Sequence, residues 1–125
     1  MWKLIATMKR KPGTSRSDFR NYYENSHAPF AAPHVMPFAV AYRRNYTLTS
    51  FDYIDVSGDS AKRVTENESD FDCITEILFS DRKAVDAFLV AMTVPDVQRR
   101  FVEDEGRFIN RSATRVYLCE QMETP

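Results

Sequence analysis

Asp72-Cys73-Ile74-Thr75-Glu76-Ile77-Leu78-Phe79 carries neither glycine nor proline and is β-prone along its length, which predicts a strand. Alternate residues of a strand point to opposite faces, and a face in water reads polar. Here Cys73, Ile77 and Phe79 oppose Ile74 and Leu78, so neither face does. Three further stretches repeat the pattern. Trp2, Leu4, Ala6 and Met8 oppose Ile5 in residues 2–8. Phe38, Val40 and Tyr42 oppose Ala39 and Ala41 in residues 38–48. Val116, Leu118 and Met122 oppose Ala113, Tyr117 and Cys119 around Thr114–Met122. The sequence therefore predicts a sheet covered on both sides.

Between the strands the period changes. Ser15, with Asp18 three residues on, forms a cap, and Phe19, Tyr22, Tyr23, Ser26 and Phe30 then recur at helical spacing, so a helix is expected from about Arg16. Pro29 disfavours helical geometry at Ala28, which predicts a kink or end near His27 and places that imidazole at a helix C-terminus. After the central strand, Ser80 or Asp81 caps a helix with the stripe Ala84, Val85, Phe88, Leu89 and Met92. Pro95 interrupts it. A further helical stretch puts Val97, Phe101 and Phe108 on one side, with Arg99/Glu103 and Arg100/Asp104 as charged neighbours on the other. Residues 49–69 are polar around Ser57-Gly58-Asp59-Ser60, and a connection of that length is expected to be a lid, a binding loop or disordered.

The order β-α-β-β-α-β predicts an α+β, ferredoxin-like split βαβ domain, with a four-stranded antiparallel sheet and its helices on one face. Two helices cover one face only. The other leaves several hundred Å² of apolar surface, on the order of what monomers stop tolerating, so a homodimer packed sheet to sheet is expected.

With 125 residues, one domain spanning 1–125 is expected. Seventeen basic against eighteen acidic residues give a net charge of -1, leaving no basic field for nucleic acid. No run of about 18 apolar residues predicts a membrane span, and Met1–Lys9 is too short for a signal peptide, which points to a cytoplasmic protein. Cys73 and Cys119 read as small apolar core residues.

Tyr22-Tyr23-Glu24-Asn25-Ser26-His27-Ala28-Pro29-Phe30 resembles the end of the first helix in the EthD family, where a Tyr- or Trp-led stretch runs into His-Ala-Pro-Leu; here Phe30 replaces the leucine. The resemblance continues in Lys9–Gly13, Asp72–Glu76 and Asp104-Glu105-Gly106-Arg107-Phe108. It implies a dimeric α+β barrel with a pocket between sheet and helices in each subunit. It also implies association with polyketide tailoring, including cofactor-free decarboxylation, or with degradative gene sets.

His27 is the first candidate for chemistry, because imidazole suits proton transfer near neutral pH and the matched motif carries a histidine there. The competing reading is a histidine that only caps a helix end. Glu76 is expected near His27 as a second acid or base, or else paired with a buried arginine. Tyr22 and Tyr23 could orient a phenolic ligand, although at this spacing at least one belongs to the core. Arg43, Arg44, Asn45 and Tyr46 form a polar tip on the second strand, where one guanidinium could hold a carboxylate or bridge a dimer. Asp72 completes the substrate-binding set. Glu24, His27 and His34 lack the repeated Glu-x-x-His of a helical metal site, and Gly13, Gly58 and Gly106 make no phosphate loop. No metal and no cofactor are therefore expected.

The expected activity is a cofactor-independent lyase (decarboxylase or dehydratase) or isomerase/cyclase acting on a small hydroxylated aromatic or polyketide-derived compound. The alternative is a non-catalytic small-ligand-binding or accessory protein.

Overall fold

The computed structural model describes residues 1–51, 66–67 and 69–125. Strand β1 (Trp2–Met8) is followed by a turn in which Gly13 takes a φ of 82°, the left-handed region that glycine enters without strain. The Ser15 hydroxyl then accepts the Asp18 N–H at 3.1 Å and starts α1 (Arg16–Tyr22) as the sequence predicts.

The helix does not end near His27. A π-turn over Tyr23–His27 joins α1 to α2 (Ala28–Val35), with the Ala28 N–H bonded to the carbonyl of Tyr23 five residues back. Widening the coil by one residue makes room for the Pro29 ring, which a tight α-turn would press against the carbonyl four residues before it. Pro29 then sits in the first turn of α2, where its missing N–H costs little. His27 consequently lies inside a continuous rod and has no helix-end field acting on it.

The remaining elements are β2 (Ala41–Tyr46), a two-stranded ribbon of β3 (Ser50–Phe51) and β4 (Glu66–Asn67), β5 (Cys73–Phe79), α3 (Arg82–Met92), α4 (Pro95–Glu105) and β6 (Arg115–Glu120). Asp81 caps α3 through the Ala84 N–H at 2.8 Å. The main sheet has the order β2-β5-β1-β6 with every pair antiparallel, the split βαβ arrangement of a ferredoxin-like fold. Most of residues 49–69, expected as a lid or binding loop, lies outside the described residues.

The helices pack on the face presented by Leu4, Met8, Tyr42, Cys73 and Phe79. Two clusters fill this layer. One joins Leu4, Phe79, Val85, Phe88 and Phe101; the other joins Met8, Phe19, Tyr23, Cys73 and Phe108, and Tyr42 packs against both.

The opposite face is less uniformly apolar than strand parity predicts. Ile5 lies between Glu76 and Tyr117 across the strands, and Lys3 pairs with Glu76 at 2.6 Å beside Asn45. Strand β6 is the open edge: Val116 on the helix side is 64% exposed and Tyr117 on the other is 48% exposed. Cys119 is accordingly half-buried rather than part of the core, whereas Cys73 is fully buried.

Phe79 lies at the centre of the first cluster with no exposed surface. Phe79→Ala is expected to cost about 3–5 kcal/mol through lost burial and the void left behind. Urea unfolding at fixed pH checks it, and a loss below about 1 kcal/mol would contradict this packing.

Candidate functional site

A pocket of about 240 Å³ opens between the sheet and the helices. Its floor comes from Leu4, Ala6, Thr75 and Tyr42 on the strands, its walls from the rod carrying Tyr23 and His27 and from Phe88 and Phe101 of α3 and α4. The lining is predominantly apolar with a few polar groups, the usual composition of a small-molecule site.

His27 is 4% exposed and sits among the rings of Tyr23, Phe30, Phe101 and Phe108, the last at 4.8 Å between centroids. Its Nδ1 lies 2.6 Å from Asp104 Oδ2. Asp104 also accepts the Tyr22 hydroxyl at 2.7 Å and an Arg107 N–H at 3.2 Å, both on Oδ1. Burial pushes the Asp104 carboxyl upward, but hydrogen bonds from Tyr22, His27 and Arg107 outweigh it and hold the group below its ordinary value. An ionised carboxylate at Nδ1 requires that nitrogen to carry a proton, so in the neutral imidazole the lone pair lies on Nε2. Nε2 makes no hydrogen bond among the described residues, and the ring lines the pocket.

The hydroxyls of the floor form a second group. Tyr23 Oη lies 2.7 Å from Thr75 Oγ1 and 3.2 Å from Tyr42 Oη. Burial raises both phenols above their ordinary value, so each keeps its proton.

The candidates named from sequence separate sharply. His27 and Tyr23 line the pocket, and Tyr22 stands behind His27 through Asp104. Glu76 is not near His27. It points to the far face of the sheet, because its neighbour Thr75 bonds Tyr23 on the helix face and adjacent residues of a strand alternate. There its hydrogen bond to Lys3, with a smaller one from Asn45, holds Glu76 below the usual carboxylate value despite partial burial.

Arg43 is exposed on that same far face, opposite Glu76 in the register. Arg44 faces the helices but is held by Glu24 through two bonds of 2.7 and 3.1 Å, with its guanidinium over the Tyr42 ring. Tyr46 donates to the same Glu24. Asn45 bonds Glu76 and the Ile74 carbonyl. Asp72 accepts the Arg10 backbone N–H at 2.8 Å, with the Arg10 and Arg16 guanidiniums at 3.6 and 3.5 Å, and lines a different hollow. Arg44, Tyr46 and Asp72 tie the sheet to the first helical rod, Arg43 and Asn45 stay on the far face, and none of the five forms the floor beneath His27.

Asp104, Tyr42 and Thr75 are the site residues that the sequence reading missed. Asp104 continues the helical series Val97, Phe101, Asp104, Phe108, so a carboxylate on an apolar stripe was the available signal. It is 8% exposed and pairs inward, not outward with Arg100. The Arg99–Glu103 pair does form, at 3.2 Å. Among the described residues no group of three or more His, Cys, Asp or Glu side chains is placed to hold a metal, and no helix is long and apolar enough to cross a membrane.

Sheet order, one-sided helices and a pocket between them define a ferredoxin-like α+β protein with a buried His–Asp pair beside that pocket. The EthD domain matches residues 11–112, and the chain belongs to that family. Solved structures agree on the fold. An ethyl tert-butyl ether D (EthD) family protein from Bacillus halodurans C-125 is similar with 20% identity and a TM-score of 0.60, over 98% of this chain and 99% of the other. HapK from Hahella chejuensis is similar with 15% identity and a TM-score of 0.59, over 100% and 96%. A hypothetical Arabidopsis thaliana protein known from its solution structure follows at 14% and 0.53, over 99% and 90%. No curated protein matches the chain.

Asp104→Asn is expected to destabilise the fold at pH 7 by about 1–3 kcal/mol, the cost of a mismatched buried hydrogen-bonding group. A carboxyl held low in the folded state stabilises fully above its unfolded value of about 3.9, and that contribution fades as pH falls through the lower folded value. The gap between wild type and variant should therefore be full at pH 7 and narrow below about pH 4. Denaturant titrations at pH 7 and pH 3 measure it, and a gap that widens in acid would contradict the pairing.

Proposed function

We propose that this protein is a cofactor-independent proton-transfer catalyst, an isomerase, cyclase or dehydratase, for a small hydroxylated aromatic or polyketide-like compound. The observation that carries the reading is His27 itself: Nδ1 is committed to Asp104 while Nε2 is left to the pocket. Asp104 orients the ring, selects the tautomer with a basic Nε2, and stabilises the imidazolium formed when Nε2 takes a proton. Tyr22 and Arg107 hold Asp104 in turn. Decarboxylation finds less support, because it would draw on a cation to hold the carboxylate: Arg44 is committed to Glu24, and Arg43 lies on the far face.

The unit in this reading is a homodimer of single-domain chains. The far face of the sheet supports it, since Ile5, Ile74 and Tyr117 lie around the Lys3–Glu76 pair with no helix of the described residues above them, and β6 is open on both sides. A second copy would cover that face and shield the pair from water.

A ketone with acidic α-hydrogens tests the base directly. Wild-type protein should accelerate deuterium uptake into 2-tetralone in D2O, followed by proton NMR, and His27→Gln should lose about 100-fold or more of that acceleration while keeping its thermal unfolding temperature. Equal exchange rates in variant and wild type would remove His27 from the chemistry. A wild type that binds 2-tetralone but exchanges it no faster than buffer would make the protein a binder. Light scattering of the same samples should give a dimer, and Tyr117→Glu a monomer; a monomeric wild type at micromolar concentration would overturn the proposed assembly.

A further inference from the structure

Three hydroxyls, ending on two sulfurs, run in a line beneath the pocket. Tyr42 Oη meets Tyr23 Oη at 3.2 Å, Tyr23 Oη meets Thr75 Oγ1 at 2.7 Å, and Thr75 Oγ1 meets Cys73 Sγ at 3.6 Å and Met8 Sδ at 3.7 Å. Each hydroxyl has one proton to give. Two complete arrangements follow. In the first, Tyr42 donates to Tyr23, Tyr23 to Thr75, and Thr75 to the Met8 thioether, so Tyr42 presents an oxygen lone pair. In the second, the Cys73 thiol donates to Thr75, Thr75 to Tyr23, and Tyr23 to Tyr42, so the Tyr42 O–H points away from the line. No bond forms or breaks between them; only the hydroxyl and thiol hydrogens rotate.

What sets the direction of such a line is the strength of its inner end. Here that end is sulfur in both cases: a thioether, which accepts weakly, and a thiol, which donates weakly. Burial pushes the Cys73 thiol up to about 11, so it retains the proton the second arrangement uses. The protein thus imposes neither direction. At the other end, Tyr23 and Thr75 are buried while Tyr42 is half-buried and lines the pocket, with no hydrogen bond among the described residues beyond that to Tyr23. The ligand decides which way the line runs.

We propose that Tyr42 is the ligand-contacting end of a reversible hydroxyl relay, and that the pocket takes a compound whose oxygen alternates between carbonyl and hydroxyl, as in a ketone–enol or keto–phenol pair. The relay donates to the carbonyl form and accepts from the hydroxyl form without any change in protein charge. This deepens the reading of the pocket as a proton-transfer site and rests on it, since a base at His27 that removes a proton beside a carbonyl produces the hydroxyl form.

Three probes of similar size separate the possibilities: 1-tetralone, which only accepts, 1-naphthol, whose hydroxyl donates well and accepts only weakly, and naphthalene, which does neither. Their affinities are read by NMR titration at pH 7. Wild type is expected to bind the two oxygenated probes within about threefold of each other and both more tightly than naphthalene. Tyr42→Phe should weaken both oxygenated probes by about tenfold and leave naphthalene unchanged, as loss of one hydrogen bond predicts. Thr75→Val is the diagnostic variant. It leaves Tyr23 with only Tyr42 to receive its proton, so Tyr42 becomes a fixed donor; 1-tetralone affinity should hold while 1-naphthol weakens about fivefold to tenfold.

A Thr75→Val protein that weakens both oxygenated probes equally, or a Tyr42→Phe protein that binds them like wild type, would overturn the relay. A wild type that binds naphthalene as tightly as the oxygenated probes would overturn the relay while leaving the pocket and His27 intact. One that binds none of the three at millimolar concentration would overturn the pocket reading and the relay with it.

Discussion

A single contact of 2.6 Å between His27 and Asp104 joins residues 77 apart in the chain and decides which imidazole nitrogen is left to the pocket. A buried imidazole in an aromatic surround has few sources of polarity, and an apolar cavity penalises any group left without a partner. Asp104 meets one nitrogen and is itself satisfied from the other side by Tyr22 and Arg107. The second nitrogen is left for whatever enters. Without the carboxylate, His27 would be free to choose its tautomer, and the base proposed at the pocket would be undefined.

The remaining architecture puts those two side chains in reach of each other. The π-turn over Tyr23–His27 rotates the rod by a residue and keeps it running, so Tyr23 and His27 reach the same cavity while Tyr22 reaches Asp104. π-turns of this kind are frequent at functional positions because they re-aim side chains in mid-helix. On the other side of the rod, Glu24 is bound by Arg44 and Tyr46 of β2, which fixes the rod to the sheet edge. The hydrogen bond from Arg44, and then that from Tyr46, hold the Glu24 carboxyl low against its partial burial. Arg44 of β2 therefore acts as a mount for the helix.

Much of this was written plainly in the sequence. Ser15 and Asp81 mark two helix starts that the structure reproduces, and the strand and helix order specifies the topology, whereas the two-sided apolar parity of Cys73–Phe79 overstates the far face, which carries the Lys3–Glu76 pair. The same parity hid the location of Glu76. When both faces of a strand are apolar, alternation says which residues share a side but not which side meets the helices, so Glu76 looked as close to His27 as Thr75 is. Pro29 misled for a different reason: proline breaks an α-turn, and a π-turn is a third outcome besides stopping and kinking. Asp104 was read by its nearest charge, Arg100, although its helical phase with Phe101 and Phe108 placed it inward. The EthD likeness covered the segments that contain both His27 and Asp104, yet a motif marks positions without saying that two of them touch.

The solved relatives agree with this chain in architecture at identities of 14 to 20%, a level at which the likeness shows the fold. The tautomer of His27 is thus the property on which the account turns. Nitrogen-15 NMR of imidazole-labelled protein at a pH where His27 is neutral reads it directly. The Asp104 contact calls for a protonated Nδ1 and a bare Nε2; a proton resident on Nε2 with Nδ1 unprotonated would contradict it.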